Sequence, residues 1–560
     1  MRAPDAPPFH WGQNPTVTAE PLSFFTIDHG TASTAVALVA PVDGRFRLLA
    51  SDTAPRGVAV GALLEDLVAR VTATDEDVLV EPDAWQDWAR LESATHEPLA
   101  IVLAGPSDAR LGDLERAVAG AGWEVRARAV AGRADWVALA DACLDPTVSA
   151  IALAGTEPAT AEDRGQLAVL AAMLGALASR REDLWVLLCG NAASLGRYFP
   201  TARTLEGPRA EPVPATLDSQ LRRAAEDLSA RIREARDRVV PVAMQDGREA
   251  MKVSTGTLAR LLNRRIEALD VGHASGSRTL AHPDGSIWHV TSAEAALVPA
   301  AALYDDHEAE QILRWSALRT DPFTLVDRLR NLRLAPWRDA GGDGSKLRLA
   351  ALRAALLRLH QVWRTPATAA GQRHVDSPAD LLIGCGGAFA ALPAPAAALA
   401  LVDTLRRPGT MAVFHDHARL LGPVGTLPDE ADRRRLLADL IDDMLLPLGT
   451  AIITGEVRPS RHPGRLRISS ALRQSELELS PGALRLLDLP PGVPARIEIE
   501  SRDGSLMGLR ARHVAIEVTG GLGGLLVDTR EIPLRLPERA ERRRALFESW
   551  ERPIWASLQP

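Results

Sequence analysis

The stretch FFTIDHGTASTAVALV (24–39) sets one carboxylate, Asp28, at the end of an apolar, strand-like run and follows it at once with Gly30, Thr31, Ser33 and Thr34. Small and hydroxylated residues bury little apolar surface, so they make a poor core. They do make a tight turn that offers backbone N–H groups and hydroxyls to an anion. Residues 24–28 and 35–40 read as two β segments flanking that turn, and Asp43-Gly44 is a hairpin signal leading into a third strand, RFRLLASDT (45–53). VGALLEDLVARV (60–71) then carries apolar residues at helical spacing. The chain opens strand, turn, strand, turn, strand, helix.

The same unit returns 242 residues later. Setting TIDHGTASTAVALV (26–39) over ALDVGHASGSRTLA (268–281) aligns Asp28 with Asp270, Gly30 with Gly272, Ala32 with Ala274 and Ser33 with Ser275. Each copy is followed by an Asp-Gly turn and another strand-like run, FRLLAS after Gly44 and SIWHVTS after Gly285. The pattern predicts an internal duplication of a β-hairpin unit, one copy in each half.

Between the copies, LAIVLAG (99–105), SAIALAG (149–155) and LWVLLCGN (184–191) are apolar strands, the first two running into helices. This alternation predicts a mostly parallel sheet covered on both sides. Residues 218–240 read as a charged amphipathic helix, and STGTLARLLNRRI (254–266) as a helix capped at Ser254 or Thr255. After the second copy comes an Arg-rich helical stretch over 305–364, broken by RDAGGDGSK (338–346). ADLLIGCGGAFAALP (379–393) then gives a strand, a Gly-rich turn and a helix start, and TMAVFHDHARLLGPVG (410–425) a strand with a polar end. From about residue 451 short β runs alternate with Pro/Gly turns up to a final helix, PERAERRRALFESW (537–550).

Composition narrows the function classes. Of 64 basic residues only Lys252 and Lys346 are lysine, and the net charge is −8. Arg richness with almost no Lys reflects a GC-rich coding background, and an acidic chain without a legible basic face argues against nucleic-acid binding. Cys143, Cys189 and Cys385 lie far apart with no CxxC pair, which points to a reducing, cytoplasmic setting. The Pro-rich start, MRAPDAPPFHWGQNPTV, lacks the apolar core of a signal peptide, and no apolar run approaches the roughly 20 residues needed to span a bilayer.

A polyphosphate with Mg²⁺ needs N–H groups and hydroxyls aimed at its oxygens and a carboxylate near the metal, through metal-bound water. Asp28 and Asp270 suit the metal. Gly30, Thr31, Ser33 and Thr34 in one copy, and Gly272, Ala274, Ser275 and Ser277 in the other, suit the phosphates. Gly384, Gly386 and Gly387, where a strand meets a helix, would let adenosine lie against bare backbone. The bland readings are a turn capped by its own hydroxyls and an ordinary strand-to-helix connection. His415 and His417 in FHDH share a strand face, as metal ligands sometimes do, but a strand-end polar cluster is the commoner reason for such a pair. The cysteines beside glycines read as small buried thiols.

This ordered trio of two hairpins and a Gly-rich turn resembles the actin-like ATPase superfamily. AIALAGTEPATAEDRGQLAVLAAMLGAL, WVLLCGN, LDVGHAS, LLIGCGGAFAALP, FHDHARLLGPVG and VTGGLGGLLVDTREIPLRLPERAERRRALFESW are together similar to the glutamate mutase-associated accessory protein family, the MutL type unrelated to mismatch repair. The resemblance spans most of residues 24–550. It implies an α/β, two-lobed actin-like fold built from duplicated ribonuclease H-like lobes with a C-terminal mainly β domain. The divisions would be a tail over 1–20, a first lobe over 21–265, a second over 266–450 and a C-terminal domain over 451–560. It also implies an ATP- and Mg²⁺-binding reactivation or assembly factor for an adenosylcobalamin-dependent mutase, with the cobalamin on the partner rather than on this chain. Ala35 stands where the family has a Lys, AGTEPAT where it has GGTDGG, and DTREIPL where it has DARGRPL. These departures bear on ATP turnover rather than on the fold. Two other classes stay open: a non-hydrolysing scaffold on the same fold, and a small-molecule kinase with Asp108 or Glu157 as its base.

Overall fold

A computed structural model describes residues 23–74, 88–155, 161–181, 183–200, 203–206, 223–225, 227–232, 245–303, 305–336, 341–364, 379–454, 464–472, 474–501 and 506–557. The tail over 1–20, Glu157, most of AGTEPAT and both ends of the helix expected over 218–240 lie outside the described residues.

The first hairpin is β1 (Phe24–His29) and β2 (Ser33–Val42), followed by β3 (Arg45–Pro55), α1 (Val60–Thr74) and β4 (Ala89–Ala94). The β2–β3 turn uses Asp43 and Gly44 at φ 51° and 77°, the left-handed pair that a two-residue hairpin demands. Phe24 to Ile27 are all buried because both faces of β1 are covered, which explains an apolar run without alternation. Next come β5 (Ala100–Gly105), α2 (Asp108–Gly120), β6 (Glu124–Val130), α3 (Trp136–Leu144), β7 (Val148–Ala154), α4 (Ala161–Ala178), β8 (Trp185–Cys189) and β9 (Arg203–Glu206). These strands form a sheet of their own, all parallel, in the order β6-β5-β7-β8-β9. The parallel sheet is therefore an insertion beside the first lobe's sheet rather than its continuation. Its far side touches the second lobe, where Ala121 bridges to Thr291.

The chain returns through β10 (Gln245–Asp246) and α5 (Gly247–Leu262), closing a first-lobe sheet of order β10-β4-β1-β2-β3. The second lobe repeats this with β11 (Ile266–Val271), β12 (Gly276–Ala281), β13 (Ile287–Ser292), α6 (Asp306–Leu313), α7 (Pro322–Leu334), α8 (Gly342–Arg364), β14 (Leu381–Cys385), α9 (Gly387–Ala390), α10 (Ala394–Thr404), β15 (Gly409–Asp416), α11 (Leu421–Gly425), α12 (Glu430–Met444) and β16 (Leu445–Ile453). Its sheet runs β13-β12-β11-β14-β15, so strands three, two, one, four and five occupy the same places in both lobes. The expected two-lobed actin-like fold is what the chain adopts, and the duplication extends to register: Asp28 pairs with Ala35 and Asp270 with Ser277. In both turns the glycine N–H donates to the serine carbonyl at 2.9 Å, Gly30 to Ser33 and Gly272 to Ser275.

The remaining strands are β17 (Arg465–Ser470), β18 (Gln474–Glu478), β19 (Leu484–Leu487), β20 (Pro494–Glu500), β21 (His513–Thr519) and β22 (Leu525–Asp528), before α13 (Ala540–Ala556). Four of them make a separate antiparallel sheet, β18-β17-β20-β21. The other two extend the second lobe, β22 beside β16 and β19 beside β22. The lobes share one apolar core, where Phe24, Val39 and Phe46 of the first meet Ile383, Leu421, Val424 and Leu440 of the second. At the crossing of α5 and α11, a Cβ on Gly425 would stand 1.9 Å from the Ala250 carbonyl oxygen. Only glycine permits that approach.

Candidate functional site

Asp28 and Asp270 lie near the ends of the first strands of their lobes and face one another across the interlobe cleft, which is also lined by Thr95, Arg248, Gly386, Asp416 and Arg419. Ser93 donates its hydroxyl to Asp28 at 3.0 Å. Burial raises the carboxyl pKa of both aspartates, and the field of Asp28 raises that of Asp270 further. The opposing influence is a pair of arginines.

Arg419, on the second lobe, donates to Ser33 of the first hairpin at 3.1 Å and stands 3.9 Å from Asp28. Arg248, on the first lobe, donates to the Ser275 hydroxyl of the second hairpin and stands 3.7 Å from Asp270. Each arginine follows the fifth strand of its own lobe and reaches into the hairpin of the other. Each also follows a capping aspartate: Asp246 accepts from the N–H groups of Arg248 and Glu249, Asp416 from those of Leu420 and Leu421. The duplication therefore includes a cap-and-arginine unit as well as the hairpin.

Sequence reasoning missed both arginines. The cap expected at Ser254 or Thr255 is wrong by two turns, because Asp246 starts α5 and Thr255 lies inside it, its hydroxyl turned back to the Met251 carbonyl. Asp246 followed by Glu249 in the first turn was the overlooked helix-start signal, which places Arg248 on that turn. In FHDH the residue that faces the cleft is Asp416 rather than either histidine. His417 Nδ1 lies 3.1 Å from the Met444 carbonyl, and burial lowers the His415 pKa to about 4. Among the described residues no group of three or more His, Cys, Asp or Glu is placed to hold a metal ion.

The three glycines of the expected adenosine turn make room here for protein groups. A Cβ on Gly386 (φ 87°) would meet Asp270 Oδ1 at 2.3 Å, one on Gly387 would meet Arg419 Nη2 at 2.8 Å, and one on Gly384 the Phe389 ring at 2.8 Å. Gly30 has the same Arg419 guanidinium 3.6 Å from its Cβ position. Asp28, Asp270 and Gly386 thus line the cleft, with Gly30, Ser33, Ser275 and Gly387 brought to it through the arginines. Thr31, Thr34, Gly272, Ala274 and Gly384 do not line it. Asp108 pairs with Arg133 on the inserted sheet and is no part of the site. The three thiols are buried, and burial pushes Cys143 and Cys189 up to about 12 and Cys385 well above its ordinary value, which disfavours the reactive thiolate.

The cavity between the hairpins is about 40 Å³, room for a water molecule or so. Two guanidinium groups, two serine hydroxyls and two glycine-bearing turns are the donor set of a phosphate site. They fit a polyphosphate in chemistry, and its entry requires the arginines to leave their aspartates. A divalent ion at Asp28 or Asp270 has the same requirement, since each carboxylate already faces a cation. A larger groove of about 270 Å³, between α7 and the start of α8, includes no hairpin residue.

No protein-family model matches the chain, and no curated protein matches it. Among solved structures it is similar to component A of (R)-2-hydroxyglutaryl-CoA dehydratase from Acidaminococcus fermentans, at 8% identity over 72% of this chain and 96% of that one, TM-score 0.24. It is also similar to a PilM–PilN type IV pilus biogenesis complex, at 14% identity over 74% and 98%, TM-score 0.24. A third is a glycerol dehydratase reactivase, at 11% identity over 66% and 92%, TM-score 0.23. These likenesses concern the fold alone, and the assignment made above rests on the repeated strand order. Among the described residues no helix is long and apolar enough to cross a membrane.

Proposed function

We propose that this chain is an ATP-responsive accessory factor that activates or reactivates a separate enzyme, of the adenosylcobalamin-dependent mutase class that its motif order resembles. The observation that supports this most is the meeting of Asp28 and Asp270, from two copies of one hairpin, in a single cleft that both lobes must rearrange to fill. Ligand entry into about 40 Å³ is then tied to a change in lobe disposition, and a partner that senses lobe disposition is coupled to the ligand. The test is affinity for a purified mutase, glutamate mutase first, with and without Mg·ATP. Coupling predicts a change of about fivefold or more. Equal affinity in both conditions contradicts it.

A second reading, a scaffold indifferent to nucleotide, is favoured by the same arginines, which hold each lobe against the aspartate of the other. It predicts partner binding of unchanged strength whether or not ATP is present.

A further inference from the structure

We infer that Arg248 and Arg419 are the phosphate-binding cations of the cleft, one supplied by each lobe, and that the ligand they select is an anion with at least two linked phosphoryl groups. The inference rests on the proposed nucleotide reading and names the residues that would carry it.

Both guanidinium groups are nearly buried, at 8% and 9% side-chain exposure, yet neither closes on its carboxylate at contact distance. Arg248 Nε makes no hydrogen bond, and its ionic partner Asp270 stands off at 3.7 Å. Arg353 and Arg530 leave donors unspent too, but carboxylates close on them at 2.5 to 2.7 Å, whereas the planar fork of Arg248, which matches phosphate oxygens, has its carboxylate at 3.7 Å. Arg419 adds a backbone signal. It lies at φ 54°, in the left-handed region that a residue with a long side chain avoids, and this conformation directs its side chain between Gly30 and Gly387. Ser33 and Ser275 accept from the arginines through their oxygens, which leaves each hydroxyl proton free to be donated to a phosphate.

The arrangement also sets the ligand class. The two arginines approach from opposite lobes and each is backed by a different hairpin, so a chain of linked phosphoryl groups offers each guanidinium oxygens of its own. A diphosphate or triphosphate reaches both and holds the two lobes on one ligand. As each guanidinium turns to phosphate, its aspartate is freed of its cation.

The experiment is calorimetric titration of the full chain, in Mg²⁺ buffer, with ATP, pyrophosphate and orthophosphate, for the wild type and for Arg248→Gln, Arg419→Gln and the charge-keeping Arg419→Lys. Each Gln variant is expected to weaken ATP and pyrophosphate by about tenfold or more, with Arg419→Lys between it and the wild type, and orthophosphate is expected to bind far more weakly than pyrophosphate throughout. Melting curves of each variant establish that the fold is retained. Wild-type affinity for ATP in both Gln variants overturns the inference and leaves the nucleotide reading standing. Arg-dependent binding of pyrophosphate without binding of ATP does the reverse. Binding of neither anion by the wild type overturns both.

Discussion

Two buried groupings of arginine and acid, one behind the second lobe and one in the interlobe cleft, are built to different tolerances. Behind the second lobe, Arg353 stands 2.7 Å from Asp403 and 2.5 Å from Glu551, Arg530 lies 2.6 Å from both Asp403 and Asp528, and Arg406 also grips Asp528, with every member at most 3% exposed. Aromatic faces complete the packing, with Trp550 4.8 Å from the Arg530 guanidinium and Phe547 5.2 Å from that of Arg353. In the interlobe cleft the corresponding separations are 3.7 and 3.9 Å around a small cavity. A cluster that closes every charge at contact distance fixes structure. One that leaves slack between opposite charges can exchange partners, and this contrast is the physical ground for placing function in the cleft.

The comparison breaks most visibly at Arg530. Arg530→Ala leaves Asp403 and Asp528 buried without their shared cation, and a loss of about 3–5 kcal/mol is expected in chemical unfolding of the second lobe. Asp528 sets the acid side of this cluster: Arg530 and Arg406 outweigh the effect of burial and hold its carboxyl well below the usual carboxylate range. Its contribution is present above the ordinary pKa of 3.8 and is lost as the pH falls below that value.

Asp416, at the cleft, runs the other way. Burial raises its pKa to about 7 despite two backbone N–H donors. Its favourable contribution is therefore complete below about pH 4 and disappears as the pH rises through 7. Wild type is expected to lose up to about 4 kcal/mol relative to Asp416→Asn across that window, read from melting curves at stepped pH.

Smaller effects sharpen the comparison. Gly425→Ala puts a methyl against the Ala250 carbonyl where α5 crosses α11, and about 2 kcal/mol of destabilisation is expected, with looser lobe docking seen as faster proteolysis between the lobes. Arg419→Gln removes a loosely paired cation, so a stability change of only about 1 kcal/mol is expected beside its larger effect on anion binding. If Arg419→Gln proved as damaging as Arg530→Ala in unfolding, the distinction between the clusters would be lost.

The hairpins were legible because Asp, Gly and Ser recur at one offset on matched apolar strands, and strand pairing is a local matter that a short sequence pattern encodes. The two-lobed order followed from the duplication. The autonomy of the inserted sheet was not legible, since apolar strands look the same whichever sheet they join. Segment 514–536 contains β22 and the buried Arg530, so much of it is woven into the second lobe. Arg248 and Arg419 escaped notice because an arginine-rich composition makes any single arginine unremarkable. Their partners lie 27 and 386 residues away, a proximity that only the folded chain creates.

The most direct test of the central claim, that two copies of one hairpin form one ligand site, is amide hydrogen exchange over residues 24–36 and 266–281 with and without Mg·ATP. The account predicts that both hairpins gain protection together, at the same nucleotide concentration. Protection of one hairpin alone, or of neither, would contradict it.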